Sequence, residues 1–106
     1  MKTLSNNDTW ILRTLIKLND YLKAEHENFY DDMIALRFHI NKMTYLNRKT
    51  GLRDIYVLLR SVSQEYQKGA ESFSEFMVTS ELNKTVKKLM RNYKPEIAEA
   101  SKDSAA

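Results

Sequence analysis

Apolar residues recur at intervals of three and four along the first half of the chain, the pattern of one face of an α-helix. Two successive intervals of four end at His26, and residues 25–28 there are all polar. The pattern therefore predicts two helices, over about residues 8–26 and 29–49, with a break between them. All of the ten positions in this stripe except His26 are apolar, and the ten are Ile11, Leu15, Leu18, Leu22, His26, Phe29, Met33, Leu36, Ile40 and Met43.

The same stripe is compatible with one unbroken helix from Asp8 to Thr50. Such a helix would be about 65 Å long at the usual rise per residue. A compact domain of this size has a radius of gyration of about 13 Å, so the remaining residues could not cover the rod. This alternative predicts a long first helix within an oligomer, whereas the broken helix predicts a small antiparallel bundle of about four helices, which we favour.

A third helix is predicted over residues 52–68. Thr50 is placed to cap its beginning and Gly69 to end it. The turn from Ile55 to Leu59 is apolar on every side, which predicts that it is buried between several helices or covered by another chain. The stripe that defines the helix comprises Leu52, Ile55, Leu59, Val62 and Tyr66.

A fourth helix is predicted over residues 72–94. Ser72 and Glu75 form a capping-box pattern at its start. The apolar stripe changes phase further on, so Thr79 or Ser80 is a point where the helix could restart. After Pro95 the residues are small and polar, and we expect residues 95–106 to be a disordered tail behind a single domain over residues 1–94.

The composition agrees with an all-α fold. The 106 residues include two Gly, one Pro and no Cys, too few turn-forming residues for a β-rich protein. The lack of cysteine excludes disulfides, thiol nucleophiles and cysteine-ligated metals. No apolar run approaches the roughly 18 residues of a membrane span, and the first residues do not resemble a secretory signal. We expect a cytoplasmic protein without membrane contact.

Positive charge is concentrated near the end of the fourth predicted helix. Residues 84–94 contain five bases and no acid. On a helix these bases lie opposite the apolar stripe, as in a surface that binds phosphates or acidic proteins. An ordinary solvated face is the simpler interpretation, although such faces usually mix charges. The candidate nucleic-acid-binding residues are Lys84, Lys87, Lys88, Arg91 and Lys94.

A second basic region surrounds Gly51 and is interleaved with tyrosine. Aromatic residues and arginine are enriched at protein interfaces, and the chain has six Tyr. Such residues could also lie at the edge of a small core. We nevertheless expect a protein-binding surface, and its candidate residues are Tyr45, Arg48, Arg53 and Tyr56.

Catalytic chemistry is not indicated. His26 and His39 lack a second ligand at helical spacing, and no phosphate-binding loop or nucleophile motif is present. We expect neither enzymatic activity nor a cofactor or metal. The sequence favours a small helical regulatory protein that acts by protein–protein contacts, as an inhibitor or adaptor of a larger protein, and that self-associates as a homo-oligomer. The alternative is a nucleic-acid-binding regulator that uses the basic helix over residues 84–94.

Overall fold

Helices make up every regular element in the part of the chain that the computed structural model describes, which is residues 4–24, 34–42 and 49–104. The all-α fold predicted from the sequence is therefore confirmed. Six helices lie within these ranges: α1 (Asn6–Lys23), α2 (Ile34–Lys42), α3 (Arg53–Lys68), α4 (Ala70–Met77), α5 (Ser80–Asn92) and α6 (Lys94–Ser104).

Both ends of α1 have a clear local cause. Ser5 precedes the helix, and its side chain accepts a 3.0 Å hydrogen bond from the backbone N–H of Asp8, satisfying one free donor of the first turn. The helix ends at Lys23 because Ala24 is extended, with ψ of 153°. The alternative of one long helix is thus wrong. The molecule measures 42 Å along its longest axis, shorter than the rod would be. The predicted break at residues 25–28 lies outside the described residues.

The core is built from the apolar stripes of the helices, as the periodicity predicts. α1 supplies the largest share, α3 and α5 supply three residues each, and α2 adds Leu36. Burying such side chains away from water contributes roughly 1.5–3 kcal/mol each, so the stripes account for the packing of the bundle. The fully buried members from α1, α3 and α4 are Ile11, Leu12, Leu15, Leu18, Ile55, Leu59, Val62, Phe73 and Met77.

The start of α3 differs from the capping arrangement expected at Thr50. Leu52 is the residue at the N-cap, and it provides no side-chain cap. Thr50 lies two residues earlier, where its hydroxyl accepts a 3.1 Å hydrogen bond from the Leu52 N–H and donates to a carboxylate oxygen of Asp8. Thr50 therefore ties the entry to α3 onto the first turn of α1.

Gly69 ends α3, as predicted, and also begins α4. Its φ of 123° lies in a region that favours glycine, so the chain can turn between two helices within one residue. The capping box expected at Ser72 is wrong because α4 already begins at Ala70. The Ser72 hydroxyl instead donates a 2.8 Å hydrogen bond to Glu65, which links α4 to α3.

The predicted fourth helix is two helices separated at the phase change of the apolar stripe. Thr79 is extended and caps α5, its hydroxyl accepting a 3.3 Å hydrogen bond from the Leu82 N–H. Val78 lies at the junction and is 61% exposed. The restart expected at Thr79 or Ser80 is confirmed.

Residues 94–104 correct the expectation of a disordered tail. They form α6, which packs against α1. Ala100 is fully buried, and Ile97 packs on the edge of the core. Pro95 is tolerated because it lies in the first turn, where its missing N–H would have no helical partner. The bundle thus extends beyond residue 94, the boundary expected from the sequence.

Candidate interaction surfaces

The outer side of α3 exposes an apolar residue at its centre. Ile55 and Leu59 are fully buried, whereas Val57 on the opposite side is 51% exposed. The expectation that the whole turn from Ile55 to Leu59 is buried between helices is therefore wrong for Val57. Cover by another chain, the other expectation for this turn, stays a prediction.

Val57 is part of the lining of a shallow hollow of about 300 Å³. Its lining combines two guanidinium groups with apolar and aromatic surface and contains no carboxylate. Arg53 and Val57 are exposed, and Tyr56 and Arg60 are half-buried. We call this surface the α3 face, and its residues are Arg53, Tyr56, Val57, Arg60, Ser61 and Gln64.

The α3 face contains half of the protein-binding set expected from the sequence. It brings Arg53 and Tyr56 together, while Tyr45 and Arg48 lie outside the described residues. Sequence reasoning missed the other members of the face, although a signal was present: they follow Arg53 at the three- and four-residue intervals of one helical side. The missed residues are Val57, Arg60, Ser61 and Gln64.

The basic residues of α5 and its junction with α6 are all exposed, as expected for either a binding surface or a solvated face. Only some of them lie together in a depression. A groove of about 350 Å³ runs between α1, α5 and α6. Its lining includes Lys87, Arg91 and Lys94 but neither Lys84 nor Lys88. We call it the basic groove, and its residues are Asn19, Lys23, Lys87, Met90, Arg91, Lys94 and Ile97.

The four cations of the basic groove have no acidic partner within the described parts of the chain. None has a carboxylate oxygen within 4.0 Å, whereas Lys68 on α3 pairs with Glu65 at 3.3 Å. Lys23 was not among the sequence candidates because it belongs to α1, and only the fold brings it beside Lys87 and Arg91. The groove is therefore a site of concentrated positive charge.

Asn19 gives the groove a polar group below its charged rim. The residue is 8% exposed yet lies on α1 among the groove residues. No hydrogen bond joins its side-chain amide to another group in the described residues. An amide so placed can both donate and accept a hydrogen bond, which suits recognition of a polar group that enters the groove.

Among the described residues, two groups have shifted pKa values. The hydrogen bonds from Ser72 and Lys68 hold the pKa of Glu65 below its usual value. Burial raises the pKa of Tyr93 above its usual value, and the nearby charges of Asp54 and Glu96 act in the same direction. Neither group lies in the α3 face or in the basic groove, so these shifts concern the junctions between helices.

The described histidine has a structural environment. The ring of His39 stacks on Trp10 with centroids 4.5 Å apart, and its Nδ1 lies 3.5 Å from the Thr14 hydroxyl. In the described ranges no cluster of three or more histidine, aspartate or glutamate residues could hold a metal ion, and no helix there is long and apolar enough to cross a membrane. His26 lies outside those ranges.

Comparison with known proteins gives no relative from which a role could be taken. No protein-family model, curated protein or solved structure matches the chain.

Proposed function

We propose that this chain is a non-enzymatic interaction protein that binds another protein through the α3 face. One observation carries the proposal: the half-exposed Val57 lines the same hollow as Arg53, Tyr56 and Arg60. Arginine and aromatic residues around a desolvated apolar centre are typical of the residues that dominate binding energy at interfaces.

The charges of the α3 face favour a different protein over a second copy of this chain. A twofold dimer places the same surface of both copies in contact. Arg53 and Arg60 would then meet a surface that also carries two arginines and no carboxylate, and like charges brought together at an interface are costly. The partner surface that complements the α3 face carries carboxylates around an apolar side chain.

Capture from a lysate of the cells that encode this chain tests the proposal. The bait is the immobilised full chain, used with and without nuclease, and the test variant carries Arg53→Glu and Arg60→Glu. The matched control carries Lys84→Glu and Lys88→Glu, which change the net charge equally at exposed positions outside both surfaces. We expect one stoichiometric protein that survives nuclease, is lost with the test variant and is retained with the control.

Other outcomes would contradict the proposal. Equal capture by the wild-type chain and the Arg53/Arg60 variant would show that the α3 face is not the contact. Loss of the captured protein after nuclease would favour the nucleic-acid-binding alternative. Sedimentation of the purified chain as a dimer that the Arg53/Arg60 variant disrupts would show that a second copy occupies the face.

A further inference from the structure

The rim of the basic groove carries four cations on three helices. Lys87 and Arg91 lie one turn apart on α5, Lys94 begins α6, and Lys23 lies in the last turn of α1. The described residues place no carboxylate within ion-pairing distance of any of them. Part of this charge complements the negative carbonyl ends of α1 and α5, but the excess remains available to an acidic ligand.

The floor of the groove is apolar. Met90 and Ile97 are partly buried side chains that pack against the core and are still reachable from the groove. Methionine is flexible and adapts to side chains of different shape, which suits it to binding surfaces. Asn19, which is nearly buried, lies on α1 one helical turn before Lys23. The groove thus combines positive charge, adaptable apolar surface and a hydrogen-bonding group.

We propose that the basic groove binds an acidic amphipathic helix of a second protein, independently of the α3 face. Carboxylates on the flanks of such a helix would meet Lys23, Lys87, Arg91 and Lys94, and its apolar side chains would cover Met90 and Ile97. This is the known mode in which a helix lays its apolar face into a groove. With two separate surfaces, which share no residue, the chain would act as an adaptor between two partners.

The composition of the groove favours this occupant over a nucleic acid. Proteins that bind single strands stack bases on aromatic rings, and the groove residues include none. A phosphate backbone would also have no use for the apolar floor. A second copy of the chain is the remaining competitor, since Glu71 and Glu75 are exposed one turn apart on α4 and Val78 beside them is exposed.

A designed peptide provides the probe. It is a fluorescent helix of about 18 residues, or five turns, with leucine on one face and glutamate on the flanks. The comparison peptide has the same composition with its leucines distributed around the helix. Fluorescence anisotropy against the full chain should give binding of the amphipathic peptide at least about tenfold tighter than of the comparison peptide, because only the first can cover the apolar floor.

Matched double variants locate the binding. Lys87→Glu with Arg91→Glu should weaken binding of the amphipathic peptide at least about tenfold, because both cations line the groove. Lys84→Glu with Lys88→Glu makes the same charge change on the same helix outside the groove. This variant should weaken binding of the amphipathic peptide less than about threefold. Met90→Ser should weaken binding of the amphipathic peptide and leave binding of the comparison peptide unchanged. Circular dichroism checks that each variant is folded.

Four results would overturn the inference. Equal affinity for the two peptides, or an equal loss of affinity in the two double variants, would show that the peptide is attracted by the positive charge alone and does not bind in the groove. A labelled oligonucleotide of about 20 nucleotides that binds more tightly than the amphipathic peptide, with binding abolished by either double variant, would identify a nucleic-acid-binding surface. Self-association that Glu71→Lys with Glu75→Lys abolishes would assign the groove to a second copy. None of these results bears on the α3 face, whose variants are separate.

Discussion

The Nε of Arg13 in α1 donates a 3.3 Å hydrogen bond to the backbone carbonyl of Ala100 in α6. Ala100 is fully buried at this point, although it lies in the segment whose composition resembles a disordered tail. The contact spans nearly the whole sequence and joins the first helix to the last. Because α6 also supplies Lys94 and Ile97 to the lining of the basic groove, the groove depends on a segment whose sequence alone predicts no structure.

The docking of α6 can be tested with two alanines of the same helix. Ala100→Leu should lower the free energy of unfolding by about 1–3 kcal/mol, because the added atoms have no space at a fully buried position. Ala98→Leu should change it by less than about 0.5 kcal/mol, because Ala98 is exposed. Urea denaturation measures both. Equal stability of the two variants would mean that α6 is not packed on α1.

The two sides of α3 should respond differently to truncation. Leu59→Ala should lower the free energy of unfolding by about 2–5 kcal/mol, since Leu59 is fully buried and its removal leaves a cavity. Val57→Ala should change the free energy of unfolding by less than about 0.5 kcal/mol, because half of the valine side chain already faces water. A large loss of stability for Val57→Ala in urea denaturation would show that this valine serves the core and not the α3 face.

The two glycines differ in backbone conformation and should differ when replaced. Gly69→Ala should lower the free energy of unfolding by about 1–3 kcal/mol, because a φ of 123° is strained for alanine even though its Cβ would meet no atom within 4 Å. Gly51→Ala should be neutral, or stabilising by up to about 1 kcal/mol, since its φ lies outside that region and its Cβ also has open space. Thermal unfolding of both variants provides the comparison. A Gly69→Ala protein as stable as the wild-type protein would contradict the described turn between α3 and α4.

The link between α3 and α4 should depend on pH. Because the pKa of Glu65 is lower in the folded protein than its ordinary 4.5, the folded state favours the ionised carboxylate. Its stabilisation is therefore present above about pH 4.5 and lost as the pH falls through the lower, folded pKa. Glu65→Gln should lower the Tm at pH 7 and leave it close to the wild-type Tm at pH 3.

A matched acidic residue controls for the charge change. Glu75→Gln removes an exposed carboxylate from α4, and its Tm difference from the wild-type protein should be smaller at pH 7. The interpretation of the Glu65 link would be wrong if the two variants showed the same pH profile in calorimetric scans.

The periodicity of the sequence predicts which residues form the core but not which residues form the α3 face and the basic groove. The buried side of α3 follows directly from Ile55, Leu59 and Val62, because helix geometry alone puts these residues on one face. The end of α3 follows from Gly69 for an equally local reason. The break between α4 and α5 could be expected from the phase change near Thr79, since a helix cannot present two stripes to one core.

Features that depend on distant residues could not be read from the sequence. Lys23 joins Lys87 and Arg91 only because α1 and α5 are neighbours, and no local pattern specifies that neighbour. The helical state of α6 also arises from tertiary contact, through the burial of Ala100 against α1. The partial exposure of Val57 has the same origin, because the sequence shows apolar residues on all sides of the turn from Ile55 to Leu59 but not which side the other helices cover.

The central claim, that the α3 face binds another protein, is tested most directly by photo-crosslinking from two exposed valines. A benzophenone amino acid replaces Val57 in one protein and Val78, which lies on a different helix, in the other. After irradiation in lysate, mass spectrometry should identify one crosslinked protein from position 57 that is not obtained from position 78. Excess wild-type chain should suppress it, and the Arg53→Glu, Arg60→Glu variant should not. The same crosslinks from both positions, or none from position 57, would contradict the account.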